Sequence, residues 1–209
     1  MKQQKVFGIG WAKTGTTTLG SCLEVLGYRH QGPALDLVYD VAAGRFDRVY
    51  EVVDRHDVFE DWPWILIYQQ LDARYPGSRF ILTTRNTDSW WRSYRNMIVT
   101  KDARPDIGAI REVIYGVADG LKNKQAYIDR YERHNAEVRR YFARRPDDLL
   151  VLNWEDGDGW PALCQFLDRQ IPDQPIPRAN AGLYRPWYAK AYHSLLKNRA
   201  TKRRVRAAT

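Results

Sequence analysis

Two glycines and a lysine near the N-terminus have the residue types and spacing of an anion-binding loop. Gly10 and Gly15 are separated by four residues, as in the loop that holds phosphates in nucleotide hydrolases. In those loops a lysine and then a serine or threonine follow the second glycine directly. Here Thr16 and Thr17 occupy those positions, and Lys13 lies between the glycines. The stretch predicts phosphate binding and leaves open whether the loop is a degenerate hydrolase loop or serves different chemistry.

The loop offers several kinds of donor to an anion. Glycines let backbone N–H groups converge, and the helix that follows adds the positive end of its dipole. Lysine and threonine side chains add a cation and hydroxyl donors. The predicted phosphate ligands are Lys13, Thr14, Gly15, Thr16, Thr17 and Thr18.

An arginine and a serine farther along the chain form a second predicted anion site. Arg85 directly follows RFILTT, the clearest strand of the sequence, and Ser93 lies eight positions later, about two turns along the next helix. With a tight turn between them, the guanidinium fork and the hydroxyl can reach one phosphate. A Mg²⁺-dependent hydrolase needs a carboxylate at such a strand end. The arginine instead predicts a second anionic group and no metal.

The elements that must position these residues are predicted by short apolar runs that alternate with helical patterns. This alternation predicts an α/β fold of three layers, with a largely parallel sheet between flanking helices. The predicted strands are 5–10, 57–61, 79–84 and 149–154, and the predicted helices are 17–26, 65–75, 89–100, 122–143 and 160–167; residues 34–56 are ambiguous. Ligands bind beyond the carboxyl ends of such strands. One rim of the sheet should therefore hold 10–17, Asp61, Arg85 and 153–156.

Composition narrows the class of protein and of partner. A chain of 209 residues with 44% hydrophobic content predicts a single domain, 1–209, with a basic tail at about 197–209. The net charge of +8 favours an anionic partner such as a nucleotide, a nucleic acid, a sulfated or phosphorylated substrate, or a membrane surface. Cys22 and Cys164 lack metal or disulfide spacing and are predicted to be reduced core residues. Without a signal-like or membrane-spanning apolar run, the expected location is the cytoplasm.

Three segments together resemble the PAPS-dependent sulfotransferases, within a short bacterial and eukaryotic branch of sulfotransferase-domain proteins. The segments are AKTGTTTLGSCLEVLGY, DWPWILIYQQLDARYPGSRFILTTRNTDSWWRSY and LLVLNWEDGDGWPALCQFLDRQIPDQPIPRAN. The resemblance implies a P-loop NTPase-like sulfotransferase fold. It also implies transfer of a sulfuryl group from 3'-phosphoadenosine 5'-phosphosulfate (PAPS) to a hydroxyl or amine of a small acceptor, with the 3',5'-bisphosphate PAP as product.

The same resemblance implies roles for the two anion sites. The loop residues 13–17 would bind the 5'-phosphosulfate, and Arg85 and Ser93 the 3'-phosphate. Arg178, in IPRAN, is the best match to a later basic loop of the family that closes over the 3'-phosphate. Because the transferred group carries less charge than a phosphoryl group, the resemblance requires no metal. Lys13 would neutralise charge on the bridging oxygen and on the leaving 5'-phosphate.

An acceptor hydroxyl or amine also needs a general base within hydrogen-bond reach. Asp61 is the first choice because it ends a short strand beside Trp62, where partial removal from water raises a carboxyl pKa. Asp57 is the second choice and His56 the third. Asp61 is nearly as well suited to cap a helix that begins at Pro63, so both roles stay open. His134, on a helix face, is predicted to be a core residue rather than a catalyst.

Two other functions remain as alternatives. An atypical P-loop nucleotide kinase or NTPase would require ATP and Mg²⁺, and a basic nucleic-acid-binding protein would show affinity that falls steeply with salt. No segment resembles a dedicated nucleic-acid fold, so no nucleic acid is expected as a partner. The acceptor pocket should come from 28–60, 100–125 and the segment after Pro172, whose aromatic content suggests an aromatic or apolar acceptor. The basic tail is compatible with weak contact with a membrane surface, and the sequence does not indicate an oligomeric state.

Overall fold

Five short strands form one parallel sheet in the part of the chain that the computed structural model describes, residues 4–101 and 105–177. These residues belong to one compact unit, Met1–Ala179. The strands are β1 Val6–Gly8, β2 His30–Gln31, β3 Val58–Glu60, β4 Arg79–Thr83 and β5 Leu149–Leu152. Their order is β2-β3-β1-β4-β5, and all pairs are parallel. The predicted α/β class with a largely parallel sheet is confirmed.

Helices cover both faces of this sheet. The α-helices of the described residues are α1 Thr16–Val25, α2 Val38–Ala42, α3 Asp47–Arg55, α4 Tyr68–Arg74, α5 Thr87–Lys101, α6 Pro105–Tyr115, α7 Lys124–Tyr141 and α8 Trp160–Leu167. Short 3-10 helices lie at Leu35–Leu37, Trp64–Leu66, Pro146–Asp148 and Trp154–Asp156. The predicted helix at 65–75 is divided into a 3-10 turn and α4, and part of the ambiguous stretch 34–56 becomes α2 and α3.

The alternation of side chains along β1 separates the two faces. Val6 packs in a core with residues of α1 and α8, such as Leu23 and Leu163. Phe7 points to the opposite face and packs in a core with residues of α4 and α7. Its ring stacks on Phe80 with centroids 5.5 Å apart. Each face of the sheet is therefore buried under helices, as expected of a three-layer α/β fold.

An aromatic cluster between α5, α6 and α7 anchors the segment that leaves β1. Trp11 Nε1 donates a hydrogen bond to the Tyr115 hydroxyl at 2.7 Å, and Trp90 Nε1 donates to the Ala12 carbonyl at 2.9 Å. Trp90 also stacks on Tyr131 with centroids 4.3 Å apart and nearly parallel rings. All of these aromatic rings are buried. The start of the predicted phosphate loop, at Trp11 and Ala12, is thus held by the packed helices α5 and α6.

Both cysteines lie buried and free of disulfides, as predicted. Burial raises the pKa of the Cys22 thiol to about 12. No helix among the described residues has the length and apolar content that a membrane crossing requires.

Candidate functional site

The loop between β1 and α1 has the backbone shape of an anion cradle. A side chain at Gly10 would place its Cβ 1.9 Å from Thr83 Oγ1, so only glycine fits against the end of β4. Lys13 and Gly15 both have positive φ values, 74° and 95°. Alternating backbone of this kind turns successive N–H groups toward one point. α1 then begins at Thr16 with no acidic residue in its first turn, and its first N–H groups have no partner within the helix.

The threonines of the loop divide into two groups. Thr14 is buried; its hydroxyl donates to the Trp11 carbonyl at 2.6 Å and lies 2.6 Å from Thr83 Oγ1. Its side chain therefore ties the loop at Trp11 to the end of β4. Thr17 and Thr18 are half-buried on the first turn of α1. Both lie in the first turn of α1, which begins at the rim directly after the loop.

Asp61 lies directly after β3, close to this loop. Its φ of 69° is in the left-handed region, and its Oδ1 accepts a hydrogen bond from the Trp62 backbone N–H at 2.8 Å. Removal from water, reinforced by the charge of buried Glu60, raises the pKa of Asp61 to about 7, although Lys13 and the Thr16 hydroxyl act in the opposite direction. Lys13 and Thr16 therefore both lie close enough to Asp61 to affect its pKa. The two predicted catalytic groups, Lys13 and Asp61, are thus near each other.

The other two base candidates lie at the opposite end of β3. Asp57 is buried and paired with Arg29, whose Nε and Nη2 donate to its two carboxylate oxygens at 2.8 and 2.9 Å. Hydrogen bonds from Arg29 hold the pKa of Asp57 below its usual range. His56 follows α3, and its Nδ1 donates to the Val52 carbonyl at 2.9 Å. Both residues precede β3, so the structure does not bring them to the carboxyl rim.

Arg85 follows β4 at the same rim as the loop. Its backbone is fixed by Tyr131, whose hydroxyl accepts from the Arg85 N–H at 3.0 Å and donates to the Arg85 carbonyl at 2.7 Å. Its guanidinium Nε donates to Ser89 Oγ at 2.9 Å. Ser93 lies half-buried one turn farther along α5. The serine that contacts Arg85 is therefore Ser89, which the sequence interpretation did not include.

Glu155 is the partner of Arg85 that sequence reasoning missed. Its Oε1 accepts from Arg85 Nε at 2.8 Å and lies 2.6 Å from Nη2, while its Oε2 accepts from Ser89 Oγ at 2.7 Å. Burial raises the pKa of Glu155, but the bonds from Ser89 and Arg85 outweigh it and lower that pKa overall. The strand-end position of residue 155 indicated the rim, but no spacing rule identifies this pair.

Trp154 connects the same segment to the phosphate loop. A Cβ on Gly15 would lie 2.3 Å from Trp154 Cδ1, so the indole packs directly against the loop. The indole Nε1 is buried and has no hydrogen-bond partner among the described residues. Asn153 holds the turn, because its backbone N–H donates to Asp158 at 2.7 Å and its Oδ1 accepts from the Glu155 N–H at 3.1 Å. Trp154 thus contacts the phosphate loop and the next residue, Glu155, contacts Arg85 of the second predicted anion site.

Two remaining sequence predictions have different outcomes. His134 is a core residue as predicted, since its Nε2 donates to the Ile9 carbonyl at 2.7 Å and burial lowers its pKa to about 4. Arg178 lies outside the described residues. Within 4–101 and 105–177, no three His, Cys, Asp or Glu side chains gather as a metal-binding group would.

Comparisons with known proteins agree with this arrangement. The family model described as "Sulfotransferase domain" matches residues 5–183. A curated relative, Ava biosynthesis cluster protein M of Aspergillus versicolor, is 25% identical over 238 aligned residues, covering 94% of this chain and 90% of the relative. Among solved structures, a sulfotransferase from Alicyclobacillus acidocaldarius superimposes with a TM-score of 0.57 at 17% identity, covering 93% of this chain and 90% of that one.

Proposed function

We propose that this chain, which belongs to the sulfotransferase-domain family, transfers a sulfuryl group from PAPS to a hydroxyl or amine of a small acceptor. The observation that carries the proposal is the meeting of a phosphate-loop cradle, Lys13 and a carboxyl group with a pKa near 7 at one rim. Arg85 adds a second anion site at that rim. A donor with phosphates at its 5' and 3' ends would use both sites.

The residues of the rim fit such a donor. The positive φ at Gly15 and the open N-terminus of α1 suit a phosphosulfate. Trp154 Nε1, a buried indole donor without a partner in the described part of the chain, faces the loop at Gly15. Trp154 and Glu155 are adjacent residues, and consecutive Cα atoms are only about 3.8 Å apart. The two anion sites that they touch are therefore within reach of one nucleotide.

In the proposed mechanism, Lys13 and Asp61 act at the two ends of the transfer. The acceptor oxygen or nitrogen forms a bond to sulfur while the bond from sulfur to the bridging oxygen of the donor breaks. Lys13 stabilises the negative charge that develops on that oxygen and on the leaving 5'-phosphate. Asp61, in its carboxylate form, takes the proton of the acceptor. A base with a pKa near 7 is well matched to this task at neutral pH.

Other parts of the proposal concern the acceptor and the setting. Trp62 follows Asp61, is almost fully buried, and packs edge-on against Tyr115 with centroids 6.1 Å apart. These rings favour an aromatic or apolar acceptor beside the base. We also propose a cytoplasmic location and a reaction without a metal ion, with residues 1–209 acting as a single domain.

Calorimetric titration with PAP tests the donor assignment without knowledge of the acceptor. Wild-type protein should bind PAP equally well in EDTA and in Mg²⁺, and Arg85→Ala should weaken binding by roughly 100-fold, the size expected for a lost charge-assisted pair. Arg145→Ala is the matched control. Arg145 pairs with Asp72 and precedes β5, so it lies toward the N-terminal ends of the strands, away from the proposed site. ATP binding that requires Mg²⁺, with PAP inert, would instead support a nucleotide kinase or hydrolase.

A further inference from the structure

The carboxylate of Glu155 is held by groups that form an anion site. One of its oxygens lies within 2.8 Å of Arg85 Nε and 2.6 Å of Nη2, and the other accepts from Ser89 Oγ at 2.7 Å. Arg85 Nε and Ser89 Oγ are themselves 2.9 Å apart. Two oxygens of a phosphate bound at this place would use the same guanidinium edge and the same hydroxyl.

We propose that Glu155 occupies the position of the donor's 3'-phosphate in the free protein and leaves it when a 3'-phosphorylated nucleotide binds. The inference rests on the proposed function, because it takes Arg85 as the 3'-phosphate ligand. Glu155 is then a determinant of donor affinity: every nucleotide with a 3'-phosphate must compete with it, and a nucleotide without one leaves it on Arg85.

Charge explains why the carboxylate and the phosphate exclude each other. Arg85 pairs with Glu155 at 2.6 Å, and the charge of Arg92 also acts on this carboxylate. A phosphate brought to the same guanidinium edge would lie against the Glu155 carboxylate, and like charges at that distance repel strongly. A phosphate monoester carries more charge than a carboxylate and has three acceptor oxygens, so it can replace Glu155.

The surroundings of Glu155 allow it to leave without disturbing the fold. Its side chain is 40% exposed and lies on the 3-10 turn Trp154–Asp156. The backbone of that turn is held independently of the carboxylate, by Asn153 Oδ1 and by the bond from the Asn153 N–H to Asp158. Rotation of one side chain into solvent is therefore sufficient to vacate Arg85 and Ser89.

Removal of the competing charge should tighten binding of PAP only. We expect Glu155→Gln to bind PAP about tenfold more tightly than wild type, the scale of a partly exposed charge-assisted pair. Adenosine 5'-monophosphate, which has no 3'-phosphate, should bind both proteins equally. Asp156→Asn is the matched control, because it removes the same charge one residue later, where the carboxylate accepts from Asn153 Nδ2 at 2.6 Å. It should leave both affinities at the wild-type value.

The test is calorimetry with PAP and adenosine 5'-monophosphate on the three full-length proteins, with Glu155→Ala as a second substitution and thermal unfolding to verify the fold. Weaker PAP binding by both Glu155 variants would overturn the inference and make Glu155 an orienting partner of Arg85. The inference would also be overturned if the Glu155 variants bound PAP as wild type does, or if their affinities for PAP and for adenosine 5'-monophosphate rose equally. If wild type does not bind PAP, the proposed function fails as well; if it does and Arg85→Ala abolishes binding, the function stands whatever Glu155 does.

Discussion

Substitution of the proposed base, Asp61→Asn, should stabilise the folded protein above neutral pH. Burial beside Glu60 raises the pKa of Asp61 from 3.8 to about 7. A carboxyl group with a raised folded-state pKa releases its proton more readily when the chain unfolds, so the free energy of unfolding falls as the pH rises from about 4 to about 7. Asparagine carries no charge and avoids this cost.

The magnitude follows from the size of the shift. About three pKa units at about 1.36 kcal/mol each give an upper value of about 4 kcal/mol at pH 8. Because Glu60 and Lys13 share in the shift, we expect a gain of about 2–4 kcal/mol at pH 8 and about half of that near pH 5. The amide oxygen of asparagine can still accept from the Trp62 N–H, and asparagine tolerates the φ of 69°. The substitution thus changes the charge and little else.

Asp57→Asn, at the other end of β3, is a control for which we expect the opposite effect on stability. Hydrogen bonds from Arg29 lower the pKa of Asp57, so its carboxylate stabilises the fold above its unfolded-state pKa, and this stability is lost as the pH falls through the folded-state pKa. Asp57→Asn should therefore destabilise the protein at pH 8. Urea unfolding of the three proteins, followed by circular dichroism at pH 5 and pH 8, measures both effects. A loss of stability at pH 8 in Asp61→Asn, or the same gain at both pH values, would refute the reasoning.

Three further predictions concern the loop and the reaction. With any accepted substrate, kcat/KM should rise with pH and level off above about 7, the pKa of Asp61, and a pH-independent rate would exclude Asp61 as the base. Gly15→Ala should weaken PAP binding more than tenfold, because its φ of 95° is strained for alanine and its Cβ would clash with Trp154. Gly44→Ala is the control, since its φ is 68° but the space around its Cβ position is open. Equal losses of PAP affinity in the two variants would contradict the proposal that the loop at Gly15 binds the phosphate. Lys13→Met should lower kcat about 100-fold or more. It should also raise the pKa of Asp61, because the charge of Lys13 lowers that pKa. An unchanged pH profile of kcat/KM would place Lys13 outside the site.

The sequence was sufficient to predict the rim of the sheet. The carboxyl ends of parallel strands lie at the same rim of the sheet, so the sequence alone places the residues after β1, β3, β4 and β5 near one another. Lys13, Asp61 and Arg85 are predicted by this rule. The predicted strand 57–61 is close to the observed Val58–Glu60. Asp57 and His56 were nevertheless poor choices of base, because they precede this strand, whereas Asp61 follows it.

Other features depend on tertiary contacts that no local pattern encodes. β2 has only two residues, too few for a periodic signal, and its pairing with β3 defines it. Ser89 could have been found, since it lies one turn before Ser93 and four positions after Arg85. The pairing of Glu155 with Arg85 joins positions 70 residues apart, and only the fold brings them together.

A crystal structure of the protein with PAP tests the central claim most directly. The account predicts the 5'-phosphate in the cradle at Lys13 and Gly15, beside Asp61, and the 3'-phosphate on Arg85 with the Glu155 carboxylate turned away. A nucleotide bound elsewhere, or one whose 3'-phosphate does not contact Arg85, would contradict the account.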